Sequence, residues 1–593
     1  MKLVVPFIGE LSDLDARMVR LAEFLGIPCE TLALAKVAEH AEFLERAVSD
    51  QCSCFIVNPQ VMKEWLGRDG VPAVLIDFLL SRFPHLLVHG LRVDSFDSEI
   101  VAALSGGKLK SVEAIDGDSH SYVVGRNSGH ICETFSGLSF GPTNPVNDHV
   151  FTINGTDQAV QQLISIGNRP FMAAVRLEGT EILFVASEQL TELTAEVGDA
   201  RLADYFSRLV PQAMALRYVA GAECWRPTKA HACIIIDDPL LRKSYGFLNF
   251  ESLLHLADKN NFHCTIAFIP HNFRRNSSRI TRMFQENASR LSICFHGNDH
   301  TNAEFASTDL ALLDTLLRTA EERMHAHHKL TGIPCDKVMV FPQGKFSIEA
   351  MKVLDCHNFY AAVNTVLHPR GQSVQLKIAE VAQPAVLRYG GFPLFIRKPI
   401  RQTESQDIAF NLFFGRPVLI VEHHEIFQHP EFLVEIAARI NSIAPEINWS
   451  NLATVVRESI LMRTAPDGIH HVRAYSNSVR ISNDTDSIGR YLIEWSDCDA
   501  ASIEQVLMDG IPSSDFEIAS GGLRLPLQLG PKSSQSLSLV HRNVQTTVRT
   551  LGLRWKSQAF LRRRLSEVRD NYLSKNPQIL MAAKTFQRRF LKV

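Results

Sequence analysis

No stretch of this 593-residue sequence reaches the roughly 18 consecutive apolar residues that a membrane-crossing helix needs, so no such span is expected. The opening residues MKLVVPFIGELSDLD hold one lysine, a short apolar run and then acids, without the long apolar core and small-residue cleavage site of a signal peptide. The expected location is cytoplasmic. Excess charge of either sign is also missing. The 61 Lys and Arg face 64 Asp and Glu, which argues against a surface coated for nucleic acid, and none is expected as a partner. A disulfide framework is not expected either: the eleven cysteines are odd in number and scattered, and Cys233, Cys264 and Cys294 lie in apolar runs where a reduced thiol packs as a small hydrophobe. Internal repeats and low-complexity tracts are absent.

What is present is ordinary globular composition, 46% apolar and 21% charged, in a chain too long for one core. Residues 1–225 alternate strand-like runs (KLVVPFIG, CSCFIVNP, HLLVHGL) with helical patterns, then turn β-rich in RPFMAAVRLEGTEILFVAS, two strands about a Glu-Gly turn. That texture predicts a doubly wound, Rossmann-like α/β domain whose late hairpin looks faintly like amidotransferase-like domains. No Cys or Ser nucleophile elbow accompanies it, so a scaffolding or binding role is expected. From residue 226 to 445 short apolar strands alternate with helices, the rhythm of a (β/α) barrel. Residues 446–541 alternate in period two with turn residues between, which predicts a β-sandwich. Residues 542–593 carry thirteen Lys and Arg against two acids, with aromatics and leucines interspersed, a basic amphipathic helical tail suited to a partner or to the inner-membrane surface.

Four polar clusters fall at strand ends of the second region, where barrel chemistry sits. Asp237 and Asp238 follow Ile234-Ile235-Ile236; neighbouring carboxylates at a strand tip point apart, so one can bind a metal while the other accepts a proton. The competing reading is a plain Asp-Asp-Pro turn. His296 and His300 follow the apolar run LSICF, four residues apart across Gly297, and can reach one ion if the segment coils. One carboxylate with two imidazoles suits zinc, or cobalt, nickel or iron, and leaves positions open for water and substrate. Asp299, between the histidines, is a substrate contact or a turn residue. In VMVFPQGKFS the strand breaks at Pro342, and the Gln343 N–H is a candidate oxyanion donor. In VLIVEHHEIF, His423 or His424 can carry a proton to a leaving group. His325, His327 and His328 ride on a charged helix and read as solvated surface.

These clusters, in this order, resemble the polysaccharide deacetylase family, the carbohydrate esterases with nodulation-deacetylase homology, over residues 228–440. The resemblance implies that Asp237 is the base and that Asp238, His296 and His300 are the metal ligands. The family's Arg-x-Pro-Tyr-Gly motif aligns with Val340 to Gly344, keeping Pro342 and Gly344 but lacking the arginine and tyrosine. Because that arginine braces the catalytic aspartate, Arg242 or Lys345 is expected to substitute. The Leu-x-His motif resembles Ile420 to His424 without choosing between the two histidines.

The resulting expectation is a divalent-metal-dependent hydrolase that deacetylates a sugar or polysaccharide in exopolysaccharide or envelope metabolism, acting on an acetylated glycan or a lipid-linked precursor. Asp299, Pro342, Arg242 and Lys345 are expected near the substrate. Two rivals remain open: a degenerate, non-catalytic glycan-binding or assembly protein, and a hydrolase of another amide or of a glycosidic bond.

Overall fold

The structure, a computed structural model, describes residues 2–575 except 36–39, 49–51, 68–69, 118–120, 156–158, 199–200, 302, 497, 520, 543–548 and 550. The last part of the expected basic tail, 576–593, lies outside the described residues.

The first sheet begins with parallel strands Lys2–Phe7, Cys29–Ala33, Cys52–Val57 and His85–Val88. Lys2–Phe7, Cys52–Val57 and His85–Val88 are largely buried, with helices Asp13–Phe24, Pro59–Leu66 and Ala73–Arg82 among the connections and Ser95–Leu104 following the last strand; Cys29–Ala33 lies at the sheet edge and is only partly buried. The hairpin Arg169–Leu177 and Thr180–Val185 turns through Glu178 and Gly179, both at positive φ, and its second strand joins parallel to His85–Val88. Antiparallel strands Val160–Ile166, Tyr122–Val124 and Ser139–Phe140 extend the same sheet.

The second sheet carries the polar clusters. Strand His231–Asp237 is flanked in parallel by Cys264–Phe268 and Val418–Glu422, and Leu291–Phe295, Cys335–Val340, Ala361–Asn364 and Phe392–Ile396 follow in order on the first side. All these strands run the same way, so their carboxyl ends gather along one edge. The expected barrel is not formed; the strands follow an open path. Phe392–Ile396 pairs with Ala361–Asn364, while Lys398–Pro399, just beyond, pairs with Ile420 and Val421 on the far side. Between them the Arg397 N–H still bonds Asn364 O at 3.1 Å while its side chain reaches Asp237, so the chain changes ladder partners there.

After residue 460 two further sheets share one apolar cluster. The order Arg226–Pro227, Leu461–Thr464, His470–Arg473, Gly489–Ser496, Gly522–Leu529, Glu517–Ala519 faces Ser478–Asn483, Ser533–His541, Ile503–Met508, Ile511–Ser513. Trp495, Val479, Val506, Leu525 and Leu537 form its centre.

The last described segment is a helix, Leu553–Val568, continued by the turn Arg569–Leu573. It lies across the carboxyl edge of the second sheet, as its contacts with Tyr245, Arg275 and Asp299 show. Among the described residues no helix is long and apolar enough to cross a membrane. None of the eleven cysteines is in a disulfide.

Candidate metal centre

Strand His231–Asp237 is buried throughout, so its last residue brings a carboxylate to the floor of the site. Asp238 then adopts φ 82°, and the two carboxylates part company at that turn. Asp237 meets Arg397 in a two-pronged ion pair, Nη1 to Oδ1 and Nη2 to Oδ2 both at 2.7 Å, with both residues 4% exposed. Such a planar fork fixes a carboxylate in orientation as well as charge. Asp238 faces the histidines.

The histidine loop is built to hold them. His296 caps strand Leu291–Phe295, its N–H bonding Phe268 O at 3.0 Å, and its Nδ1 lies 2.9 Å from Val340 O. A carbonyl only accepts, so Nδ1 carries a proton and Nε2 is the atom turned toward the site. Gly297 turns the chain at φ 64°, where a Cβ would run into Glu304 and Pro342. Buried Glu304 accepts the backbone N–H groups of Asn298 (2.8 Å), Asp299 (3.1 Å), His300 (3.0 Å) and Thr301 (3.3 Å), coiling the loop around one carboxylate. That coil returns His300 beside His296, with ring centroids 4.9 Å apart.

His300 Nε2 lies 3.2 Å and His296 Nε2 3.5 Å from Asp238 Oδ1, and one ligand atom from each of the three residues falls within 4.8 Å of the others. Among the described residues this is the one group of three such side chains placed to hold an ion. The donor set fits a divalent metal: two imidazoles, one carboxylate, and a buried Asp238 Oδ1 that makes no hydrogen bond. Electrostatics agree with the geometry. Burial alone would raise both aspartates. The Arg397 charge, with His296 beside it, outweighs it at Asp237, and the two imidazoles facing Asp238 do so there, so both stay ionised below their usual range. His300 is held neutral, pushed down to about 4 by burial and by the His296 and Arg563 charges.

The other expected residues are dispersed. Arg242 and Lys345 are exposed and neither braces Asp237; Arg397 does, because the change of ladder partners delivers it there. Asp299 is 2% exposed and spends its oxygens on His271 (3.0 Å), Arg323 (2.7 Å) and Trp555 (2.8 Å), which makes it an anchor of the loop. Pro342 is buried against Gly297, while Gln343 is exposed at φ 58° beside it. His423 is exposed at the end of Val418–Glu422, and its charge bears on Asp237. His424 turns inward against Tyr245 and Phe247, its Nε2 3.7 Å from Asp570. His327 is not the solvated surface residue expected; it is buried beside Phe268 because it falls on the inner face of helix Leu310–Thr331.

Sequence reasoning missed Arg397 and Glu304. An arginine directly after the buried run FPLFI needs a carboxylate partner, and Arg397-Lys398-Pro399 repeats the Arg-x-Pro spacing two parallel strands later than expected. Glu304 gave a weaker signal, a carboxylate four residues beyond His300.

No family model matches the sequence, and no curated protein does. Among solved structures the chain is similar to Agd3, described as a novel carbohydrate deacetylase, with TM-score 0.47 and 10% identity over 91% of this chain and 98% of that one. It is also similar to a family 4 carbohydrate esterase from Streptomyces lividans in complex with acetate (TM-score 0.24, 12% identity, 39% and 95% covered). A family 4 acetyl xylan esterase from Clostridium thermocellum in complex with a cobalt ion gives TM-score 0.24 and 13% identity, with 38% and 89% covered. Carbohydrate deacetylases and family 4 esterases, the group the motifs resemble, thus stand among the structural neighbours. At these TM-scores the likenesses carry no functional argument, which rests on the site itself.

Proposed function

We propose that this chain is a metal-dependent hydrolase that removes acetyl groups from an acetylated carbohydrate. The observation that carries the reading is the adjacency of two differently employed carboxylates: Asp238 aimed at two imidazoles, Asp237 locked to Arg397. Asp238, His296 and His300 would hold the ion. A divalent cation there supplies a Lewis acid and lowers the pKa of water it binds.

The chain's own groups divide the remaining work. Asp237, ionised and oriented by Arg397, is the base that takes a proton from the attacking water. His423, exposed and within electrostatic reach of Asp237, gives a proton to the leaving nitrogen or oxygen; His424 is buried and committed to Tyr245 and Asp570. The Gln343 N–H, at the break after Phe341, is the proposed donor to the developing oxyanion. The substrate class is an acetylated glycan; nothing in the geometry favours a lipid-linked precursor or an inner-membrane site over a soluble one.

The test pairs metal content with acetate release from a panel of acetylated oligosaccharides. Asp238→Ala and His296→Ala are expected to lose bound zinc and all turnover. Asp237→Asn is expected to keep the metal while kcat falls about 10²–10⁴-fold, the usual share of a general base. Metal-loaded wild type that releases no acetate from any of them would overturn the reading.

A further inference from the structure

The groups of the proposed centre are covered from above. Asp237, His296 and His300 are 4%, 1% and 9% exposed, and what lies over them is the C-terminal segment. Trp555 Nε1 donates to Asp299 at 2.8 Å, Arg275 holds Glu567 through both its terminal nitrogens, Tyr245 donates to Asp570 at 2.6 Å, and the Gly246 N–H bonds Asn571 Oδ1 at 2.9 Å. These contacts place the segment beside the proposed ligands, where Asp238 keeps only 14% of its side chain exposed.

At the centre of the segment is Arg563, 6% exposed, with its Nη2 3.4 Å from His300 Nδ1 and its Nε without a hydrogen-bond partner. A guanidinium can only donate. It therefore faces the ring nitrogen that would need an acceptor if His300 held a metal, the role Val340 O fills for His296. Facing a donor, His300 Nδ1 is the accepting nitrogen, which leaves the ring proton on Nε2, the atom 3.2 Å from Asp238 Oδ1. Arg563 also puts a positive charge near Asp238, where an incoming cation would meet it at close range in a buried space.

The helix is docked inside out. Arg563 and Asp570 are buried, whereas Phe560, Leu561, Leu565 and Tyr572 are 55%, 59%, 61% and 72% exposed. Apart from buried Ala559 and partly buried Trp555, the large apolar side chains are thus turned away from the site, and polar contacts clustered around the proposed ligands hold the segment there.

We propose that the segment from Trp555 to Tyr572 is an internal plug of the site, with Arg563 standing in for the cation beside Asp238, so that docking of the plug and binding of a divalent metal oppose one another. The inference rests on reading Asp238, His296 and His300 as a cation site.

The test uses the full chain and cobalt(II) as probe, titrated calorimetrically into wild type, Arg563→Gln and Arg563→Lys. Glutamine removes the charge and offers His300 an acceptor, so its affinity should rise about 10–100-fold, the span over which such outer partners tune metal sites. Lysine keeps charge and donor and should match wild type within a factor of about three. In wild type, cobalt should speed amide hydrogen exchange in residues 553–573 and leave helix Leu310–Thr331 unchanged. Equal cobalt affinity in all three proteins, or cobalt slowing exchange in the segment, would overturn the plug and leave the metal reading standing. No cobalt bound by any of the three would overturn both.

Discussion

Both parallel sheets carry a buried carboxylate and histidine at the carboxyl ends of their strands, yet the two clusters differ in kind. In the first sheet Asp15 receives Asn58 Nδ2 on both oxygens, at 3.1 and 2.9 Å, the Ser12 hydroxyl at 2.6 Å, and His89 Nε2 lies 3.2 Å away. Each oxygen of that carboxylate is already engaged by donors from neighbouring elements, and one imidazole alone would face an ion. In the second sheet Asp238 Oδ1 has no hydrogen bond and two imidazoles converge on it. A carboxylate whose oxygens are both filled, as in Asp15, ties elements together even beside an imidazole without a bond of its own; a carboxylate oxygen left open to two converging imidazoles marks a place for something else.

The sharpest way to break that comparison is to remove one histidine from each cluster. His300→Ala should abolish stoichiometric zinc, measured by mass spectrometry of the purified protein, while His89→Ala should leave zinc content unchanged. Equal loss in both would mean that the metal does not sit where the ligands converge.

Next in size is the brace. Arg397→Met leaves Asp237 buried and unpaired, which should cost roughly 3–5 kcal/mol in urea unfolding. A loss under about 1 kcal/mol would show that Asp237 finds another partner or protonates. Glu304→Gln can accept fewer of the four loop N–H groups, so zinc affinity should fall about tenfold by competition with a chelator, with the first sheet unaffected.

The smallest effect belongs to the first sheet, where burial pushes Asp97 up to about 7. Between about pH 4, its unfolded value, and pH 7 the folded chain keeps a proton that the unfolded chain has lost. Stability from this group is therefore full below about pH 4, falls as pH rises through the window and is flat above it. Asp97→Asn should flatten the fall in urea midpoint between about pH 5 and pH 8; an unchanged slope would assign it to other groups.

Much of the candidate site was legible because its proposed ligands are local. Asp237 and Asp238 end one apolar run and His296 begins the next polar stretch, so strand tips and a four-residue spacing are enough to nominate them. Arg397 was not legible in the same way, since its partner stands 160 residues away and the pairing depends on how the second sheet stays open. The choice between His423 and His424 turned on which one faces inward, a matter of how the strand end packs against Tyr245 and Phe247. The strand–helix rhythm gave the parallel strands but could not show that the chain changes ladder partners between Arg397 and Pro399. For the tail, charge and aromatic pattern pointed outward to a surface, and most of its charged residues do face out, but Arg563 and Asp570 are turned in, which the pattern did not single out.

The separation of Arg563 from His300, 263 positions along the chain, has a consequence in time. The strand Val418–Glu422 that completes the flanks of Asp237 also precedes the arginine, and at about 5–20 residues per second synthesis leaves roughly 7–28 seconds between the emergence of that strand and that of Arg563. During that interval the ligands are made and nothing covers them. Protein synthesised in a cell-free system with cobalt present throughout should therefore carry more metal than protein given the same cobalt only after its release.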